Sequence, residues 1–281
     1  MLNAMRQDPK YKRLLAFCCA AILFGAVFAY HRNDVPKTAA KGPLPEADLF
    51  NVSESLFKRG PRDLEEVCLT FDDGPHPVAS PVIMNVLNRY NVKATFFIVG
   101  KRLAAHPEHV LRMLEDGHEV ANHTLSHRRM DLMSEDDVRS ELEGCQREFE
   151  YTTGRTMTMM RPPGMRLSKT VLDVAKAMGY VTVGWNVGAK DYFLPANADA
   201  KTLDHDLDYE FKGSPTQVAD LVLKQVKKGT IILLHENMTT ARALPRIIKT
   251  LKKQGYKFRT VTQMLGDIPG APRIQANPPK S

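Results

Sequence analysis

The chain has 281 residues, of which 43% are hydrophobic and 25% charged, with a formal net charge of +7. This composition is ordinary for a globular protein and leaves room for one large core plus a leader, or at most two small domains. Lys and Arg are spread along the chain without a compact basic block interleaved with aromatics, so nucleic acid is not expected as a partner, and no protein partner is indicated. Of the four cysteines, Cys18 and Cys19 lie in an apolar run near the N-terminus, Cys68 in an expected strand and Cys145 in an expected helix, which makes no disulfide framework, and the lack of a Cys-x-x-Cys pair argues against a thiolate zinc site.

In chain order, Lys10, Lys12 and Arg13 precede an unbroken apolar run from Leu14 to Tyr30. A basic flank followed by such a run reads as a signal-anchor or a signal peptide over residues 1–30. Its length sits at the lower edge of the roughly 17–25 residues that span a bilayer. The basic end stays in the cytoplasm and the rest is exported, so the membrane is an expected partner. The protein is then anchored facing the periplasm or cell exterior, or secreted if cleaved after Ala29. A buried core helix is the plainer alternative for this run. Residues 31–62, rich in Pro, Lys, Ala and Gly, read as a stalk, with an apolar patch from Leu49 to Phe57 forming one lead-in turn or helix.

From Glu66 onward, short β-type runs alternate with helical patterns. The strands are expected at Val67–Phe71, Ala94–Val99, Glu119–Ala121, Met157–Met160, Val181–Trp185, Thr230–Leu234 and Phe258–Val261. The helices between them are expected at Pro81–Tyr90, Pro107–Asp116, Glu135–Tyr151, Lys169–Met178, Pro215–Lys228 and Arg242–Gln254. Gly117, Gly179, Gly229 and Gly255 supply helix stop signals. This alternation predicts an α/β fold, a distorted and incomplete (β/α) barrel of about seven parallel strands over a domain at 63–267, with an apolar helix at the N-terminus. The Pro-rich segment 268–281 reads as a disordered tail.

Polar residues gather where these strands end. The strand ending at Phe71 runs into Asp72-Asp73-Gly74-Pro75, two adjacent carboxylates whose burial is costly unless a cation uses them. An Asx-turn cap is the plainer reading of that pair. Asn122-His123-Thr124-Leu125-Ser126-His127 follows the strand ending at Ala121, and spacing i, i+4 would put both imidazoles on one face of a helical turn. Two surface histidines beside a turn is the alternative there. An Asp with two His is a suitable ligand set for Zn²⁺ or a similar divalent ion, Co, Ni and Mn included. Arg161-Pro162-Pro163-Gly164, Trp185, Asp191 and Leu233-Leu234-His235-Glu236 arise at the same end of the expected barrel.

The Thr-Phe-Asp-Asp-Gly-Pro and His-Thr-x-x-His strings, with the Arg-Pro-Pro and Leu-Leu-His segments, resemble the polysaccharide deacetylase family, also known as the NodB-homology or chitooligosaccharide deacetylase domain. The resemblance covers roughly Val67 to Leu265. It implies that Asp72 is the general base, that Asp73, His123 and His127 hold the metal, and that Arg161 orients Asp72. It also implies that Trp185 and Leu233 line the acetyl pocket, that Asp191 tunes the general acid His235, and that the backbone N–H of Gly164 helps form the oxyanion hole. The implied reaction is hydrolysis of N-acetyl groups on an acetylated polysaccharide of the cell envelope or extracellular space (peptidoglycan, a chitin-like polymer or an exopolysaccharide). A hydrolase of a non-sugar carbon–nitrogen bond and a non-catalytic membrane-associated glycan-binding or scaffold protein are the rival readings. Three positions depart from the family pattern. Gly164 replaces the usual aromatic, Gly188 a common Asp, and Tyr192 a Trp. The polar stretch from Tyr192 to Gln217, with Asp204, His205, Asp206 and Asp208, leaves two readings open, a substrate-shaping loop and a solvated acidic loop, with a second metal site the lesser alternative.

Overall fold

The computed structural model of the chain describes residues 49–51, 53–192 and 213–280. Within them, short strands with two-residue periodicity put one face against the helices and the other toward an interior. The strands are β1 (Phe50–Asn51), β2 (Leu56–Phe57), β3 (Glu66–Gly74), β4 (Thr95–Ile98), β5 (Glu119–Asn122), β6 (Met159–Met160), β7 (Val181–Val183), β8 (Val187–Gly188), β9 (Thr230–His235) and β10 (Lys257–Arg259). The helices are α1 (Ala79–Arg89), α2 (Gly100–Ala105), α3 (Pro107–Glu115), α4 (Glu135–Thr153), α5 (Lys169–Ala177), α6 (Pro215–Gln225), α7 (Met238–Lys253) and α8 (Val261–Gly266).

The sheet runs in the order β1-β2-β7-β6-β5-β4-β3-β9-β8, with β10 also paired to β3. The β1–β2 pair is antiparallel and every other pairing is parallel. Among the described residues β1 and β8 do not pair, so the curled sheet is an incomplete barrel, as the alternation predicts. Along β3, Val67, Leu69 and Phe71 pack outward with Phe96, Ile98, Ile232 and Leu234 beneath the helices. Cys68 packs inward with Phe97, Ala121, Val183 and Ile231. The same alternation turns Thr70 and Asp72 inward. On the outer face, α7 buries Ala241, Leu244, Ile247, Ile248 and Leu251, the three-and-four spacing of an amphipathic helix. The N-terminal end of the barrel is closed by Met264 and Leu265 of α8 and by Ile268, packed against Cys68 and Ile231.

Several sequence expectations are corrected. Part of the expected stalk belongs to the sheet: β1 and β2 form a hairpin whose Leu56 and Phe57 pair with Thr182 and Val183. Phe50 and Phe57 are fully buried there, each worth roughly 1.5–3 kcal/mol of apolar burial. The tail expected to be disordered is tied down over 268–280. Asn277 exchanges hydrogen bonds with the Val120 backbone at 2.9 and 2.7 Å, and Thr156 N–H donates to the Pro278 carbonyl at 2.8 Å. The last long helix starts at Met238 rather than Arg242, because Asn237 caps it by accepting from Thr240 N–H at 2.8 Å, and it runs on through Pro245. Helices α2 and α8 and strand β8 were not anticipated. The N-terminal apolar run and most of the loop after Tyr192 lie outside the described residues. Among the described residues no helix is long and apolar enough to cross a membrane.

Candidate active site

The site lies at the C-terminal ends of β3, β5, β6 and β9. Asp72 pairs in register with His235 across β3 and β9, so both lie on the interior face of the sheet. Immediately after Asp72 the chain turns: Asp73 has φ 68°, a left-handed conformation unusual for a residue with a side chain. Gly74 is required by close approach. A Cβ placed on it would lie 1.5 Å from Glu236 Oε1. Glu236 is buried, its Oε2 accepts from the Ser80 hydroxyl, and burial pushes its carboxyl up to about 7. Arg102 Nη1 donates to the Asp73 carbonyl at 2.6 Å, which fixes the same turn from the other side.

The two histidines come together through an irregular loop, not the helical turn that their spacing suggested. Thr124 has φ 72° and His127 φ 57°. Local hydrogen bonds hold this strained path. Asn122 Oδ1 accepts from Thr124 N–H at 2.8 Å, Thr124 Oγ1 accepts from His127 N–H at 2.8 Å, and Glu141 of α4 accepts from the Ser126 N–H and hydroxyl at 2.8 and 2.5 Å. The result places His123 Nε2 3.3 Å and His127 Nε2 2.9 Å from Asp73 Oδ1. One ligand atom from each of the three residues lies within 4.8 Å of the others.

This trio fits a divalent metal ion. Asp73 Oδ1 is buried and makes no hydrogen bond, despite the two nearby imidazole nitrogens. His123 Nδ1 lies 2.7 Å from the Arg161 carbonyl, which can only accept. Nδ1 therefore bears the proton and the Nε2 lone pair faces Asp73, the arrangement in which a metal-ligating imidazole is oriented by its other nitrogen. Burial alone would raise the Asp73 carboxyl, but the charge of His127 outweighs it and holds that carboxyl well below the usual carboxylate range.

Arg161 is among the largest fully buried side chains. Its Nη1 donates to Asp72 Oδ1 at 2.6 Å and to Thr70 Oγ1 at 3.0 Å, its Nε to the Val183 carbonyl at 3.1 Å, and its Nη2 to the Gly184 carbonyl at 3.1 Å. The guanidinium also stacks over Phe97, 4.0 Å from the ring centroid. A buried charge of this kind is sustainable because it is paired and hydrogen-bonded on every side. It clamps one oxygen of Asp72, while Oδ2 lies 3.7 Å from His123 Nε2.

Asp191 is fully buried. Its Oδ1 lies 2.8 Å from His235 Nδ1, and its Oδ2 accepts from His235 N–H at 2.7 Å and from the Thr240 hydroxyl at 2.5 Å. Burial alone would lower the His235 pKa, but the charge and hydrogen bond of Asp191 outweigh it and push it up to about 9.

A pocket of about 190 Å³ joins these groups. Asp72, Asp73, His123, His127, Gly164, Trp185, Leu233 and His235 all line it. Arg161 and Asp191 stand behind Asp72 and His235. Gly164 adopts φ 62°, and its N–H has no acceptor among the described residues. All ten site residues expected from the sequence thus meet at one place. The pocket also takes in Arg129, Met165, Arg166 and Tyr192, whose ring centroid is 5.0 Å from that of His235. Sequence reasoning gave these four no role, nor Glu236, although Glu236 directly follows the proposed acid.

Comparison with known proteins agrees with this geometry. The polysaccharide deacetylase family profile matches residues 59–183. A peptidoglycan-N-acetylglucosamine deacetylase of Bacillus cereus is 32% identical over 211 residues, covering 73% of this chain and 90% of the relative. The peptidoglycan-N-acetylmuramic acid deacetylase PdaA of Bacillus subtilis is 30% identical over 267 residues, covering 90% of this chain and 96% of the relative. The solved structure of PdaA, a family 4 carbohydrate esterase, superposes with a TM-score of 0.65 at 28% identity, over 76% of this chain and 86% of that one. A family 4 pseudoenzyme from Bacillus anthracis superposes equally well, with a TM-score of 0.66 at 25% identity over 74% of this chain and 68% of that one. The fold therefore does not decide activity; the site residues must.

Proposed function

The chain belongs to the polysaccharide deacetylase family, and we propose that it hydrolyses N-acetyl groups on the amino sugars of cell-wall peptidoglycan, releasing acetate. The observation that supports this best is the pairing in register of Asp72, clamped by Arg161, with His235, raised by Asp191, in the pocket that the Asp73–His123–His127 trio also lines. One buried carboxylate and one imidazolium supply a base and an acid in one pocket.

Asp73, His123 and His127 would hold the ion, and Zn²⁺ suits this set of two imidazoles and one carboxylate. When bound, it would supply Lewis-acid polarisation of the acetamide carbonyl and lower the pKa of water. The remaining work belongs to the chain. Arg161 fixes one oxygen of Asp72 and leaves the other free to take the proton of the attacking water. The Gly164 N–H donates to the oxygen that gains charge as the carbonyl carbon becomes tetrahedral. His235 gives its proton to the departing sugar nitrogen, and Asp191 stabilises the charged imidazolium until it does so. Trp185 and Leu233 give the acetyl methyl an apolar wall.

Export of the catalytic domain follows from the substrate. The basic flank at Lys10–Arg13 and the Leu14–Tyr30 run support anchoring at the membrane, facing outward. Retention of base, ligands and acid speaks against a purely glycan-binding role. The test is to incubate the purified full-length protein with acetylated peptidoglycan fragments and zinc, measuring acetate and identifying the deacetylated sugar by mass spectrometry. Stoichiometric acetate with a free amine on the sugar is expected. Absence of acetate across peptidoglycan, chitin oligomers and exopolysaccharide, with metal bound, would remove the deacetylase reading.

A further inference from the structure

Two guanidinium groups line the catalytic pocket and have no part in the chemistry above, those of Arg129 and Arg166. Arg129 is held rigidly. Its Nε donates to Asp131 Oδ1 at 3.1 Å and its Nη2 to Asp131 Oδ2 at 2.7 Å, a bidentate fork. That fork occupies one edge of the guanidinium, and its Nη1 has no acceptor among the described residues. The Asp131 carboxyl is held below its ordinary value first by the Arg129 hydrogen bond, and the charge of Arg166 acts in the same direction. Two cations therefore gather around one carboxylate, which leaves this rim of the pocket with an excess positive charge. Arg166 itself is exposed and has no ion-pair partner among the described residues.

The stem of Arg166 lies where a side chain at position 164 would point. A Cβ on Gly164 would meet Arg166 Cγ at 3.6 Å. With φ 62° at Gly164, the chain has given up a side chain there, and a guanidinium stem borders the pocket beside the oxyanion donor. A planar fork of N–H donors matches a carboxylate better than it matches a neutral hydroxyl or amide. The same rim is poorly suited to a cationic polymer.

We infer that Arg166, supported by Arg129, is a specificity-determining residue. It binds a carboxylate attached to the sugar ring near the reacting acetamide, so that the preferred substrate is an acidic acetamido sugar rather than a neutral one. The inference rests on the deacetylase reading and narrows its substrate class. Of the two sugars named for the Bacillus relatives, muramic acid has such a carboxylate and glucosamine does not.

The test compares two acetamido oligosaccharides that differ in one group, a free carboxylate on the ring ether or its carboxamide. Both are given to the full-length zinc-loaded protein. The readout is the ratio of kcat/KM for the two, which does not depend on the fraction of folded enzyme. Wild type should prefer the carboxylate by ~10-fold at low ionic strength, and salt should erode the preference. Arg166→Gln should bring the ratio down several-fold toward unity, and Arg166→Lys should restore part of it. Arg129→Gln should act in the same direction. A wild-type ratio near unity, or a ratio unmoved by Arg166→Gln, overturns the inference while leaving deacetylation intact. Acetate from neither substrate would remove the deacetylase reading, and this inference with it.

Discussion

Each end of the barrel buries a carboxylate, and the two are treated in opposite ways. At the N-terminal end, Glu119 opens β5. Its Oε1 accepts from the Thr260 hydroxyl, and its Oε2 accepts from the Thr95 hydroxyl at 2.9 Å and Thr262 N–H at 3.2 Å. All its hydrogen-bond donors are neutral, and burial raises its carboxyl pKa. At the C-terminal end, Asp72 has one oxygen clamped by a buried guanidinium and the other beside the pocket. Neutral donors that use up both oxygens make a seal. A cation that holds one oxygen and leaves the second near open space makes a base. The contrast explains how one fold keeps stability at the bottom of the strands and chemistry at the top.

That contrast can be broken from the top first. Asp72→Asn preserves shape and an oxygen for Arg161 but cannot take a proton. Activity should fall by roughly 10²–10⁴-fold with metal content preserved. A variant within a few-fold of wild type would mean that Asp72 only supports the turn. The next largest effect is expected at the acid. His235, raised to about 9, should set the basic limb of the pH profile near that value, since it must be protonated to act. Asp191→Asn removes the charge that raises it, so the basic limb should move to lower pH and the rate at pH 8 should drop. An unmoved limb in folded, metal-loaded variant would deny the pairing. Stability has the same sign. A histidine whose folded pKa is raised above its unfolded value stabilises the protein fully below the unfolded pKa, and that contribution fades as pH rises toward about 9.

Glu119→Gln tests the other end. The amide nitrogen cannot accept the hydrogen bonds that the lost oxygen took, so stability should drop by about 1–3 kcal/mol, with kcat of the folded fraction unchanged. Burial raises the folded pKa of Glu119, so the wild-type protein should lose some stability as pH rises through that titration, and the variant should not. Denaturant titration at two pH values reads both effects; a kcat loss in folded Glu119→Gln would erase the distinction between the two ends. The smallest effect is expected at Asn277→Ala. Losing its two bonds to Val120 should cost about 1–2 kcal/mol without touching the site. Denaturant midpoints would show it, and an unchanged midpoint would mean that the tail is not held by this contact.

The parts legible in the sequence were those written locally. Asp72 and Asp73 after an apolar run, and His123 and His127 four apart, announce themselves by residue type and position. The pairing of Asp191 with His235 bridges 44 residues and came only through family resemblance. What stayed hidden depends on partners far along the chain or on backbone angles. Nothing local marks Asp73, Thr124 and His127 as left-handed, and their strain is sustained by Arg102, Asn122 and Glu141. The tail reads as disordered because it is rich in Pro. Its order comes from the Val120 backbone, 157 residues earlier. The same holds for Phe50 and Phe57, whose burial depends on β7.

The central claim is that Asp73, His123 and His127 hold the ion on which acetyl hydrolysis depends. The most direct measurement follows bound zinc and acetate release together, as the chelator-stripped full-length protein and its His127→Ala variant are titrated with zinc. The account predicts that in wild type acetate release rises in step with a single bound ion, and that the variant loses both binding and activity at equal free zinc. Acetate release at the wild-type rate with no metal bound, or full occupancy in His127→Ala, would contradict it.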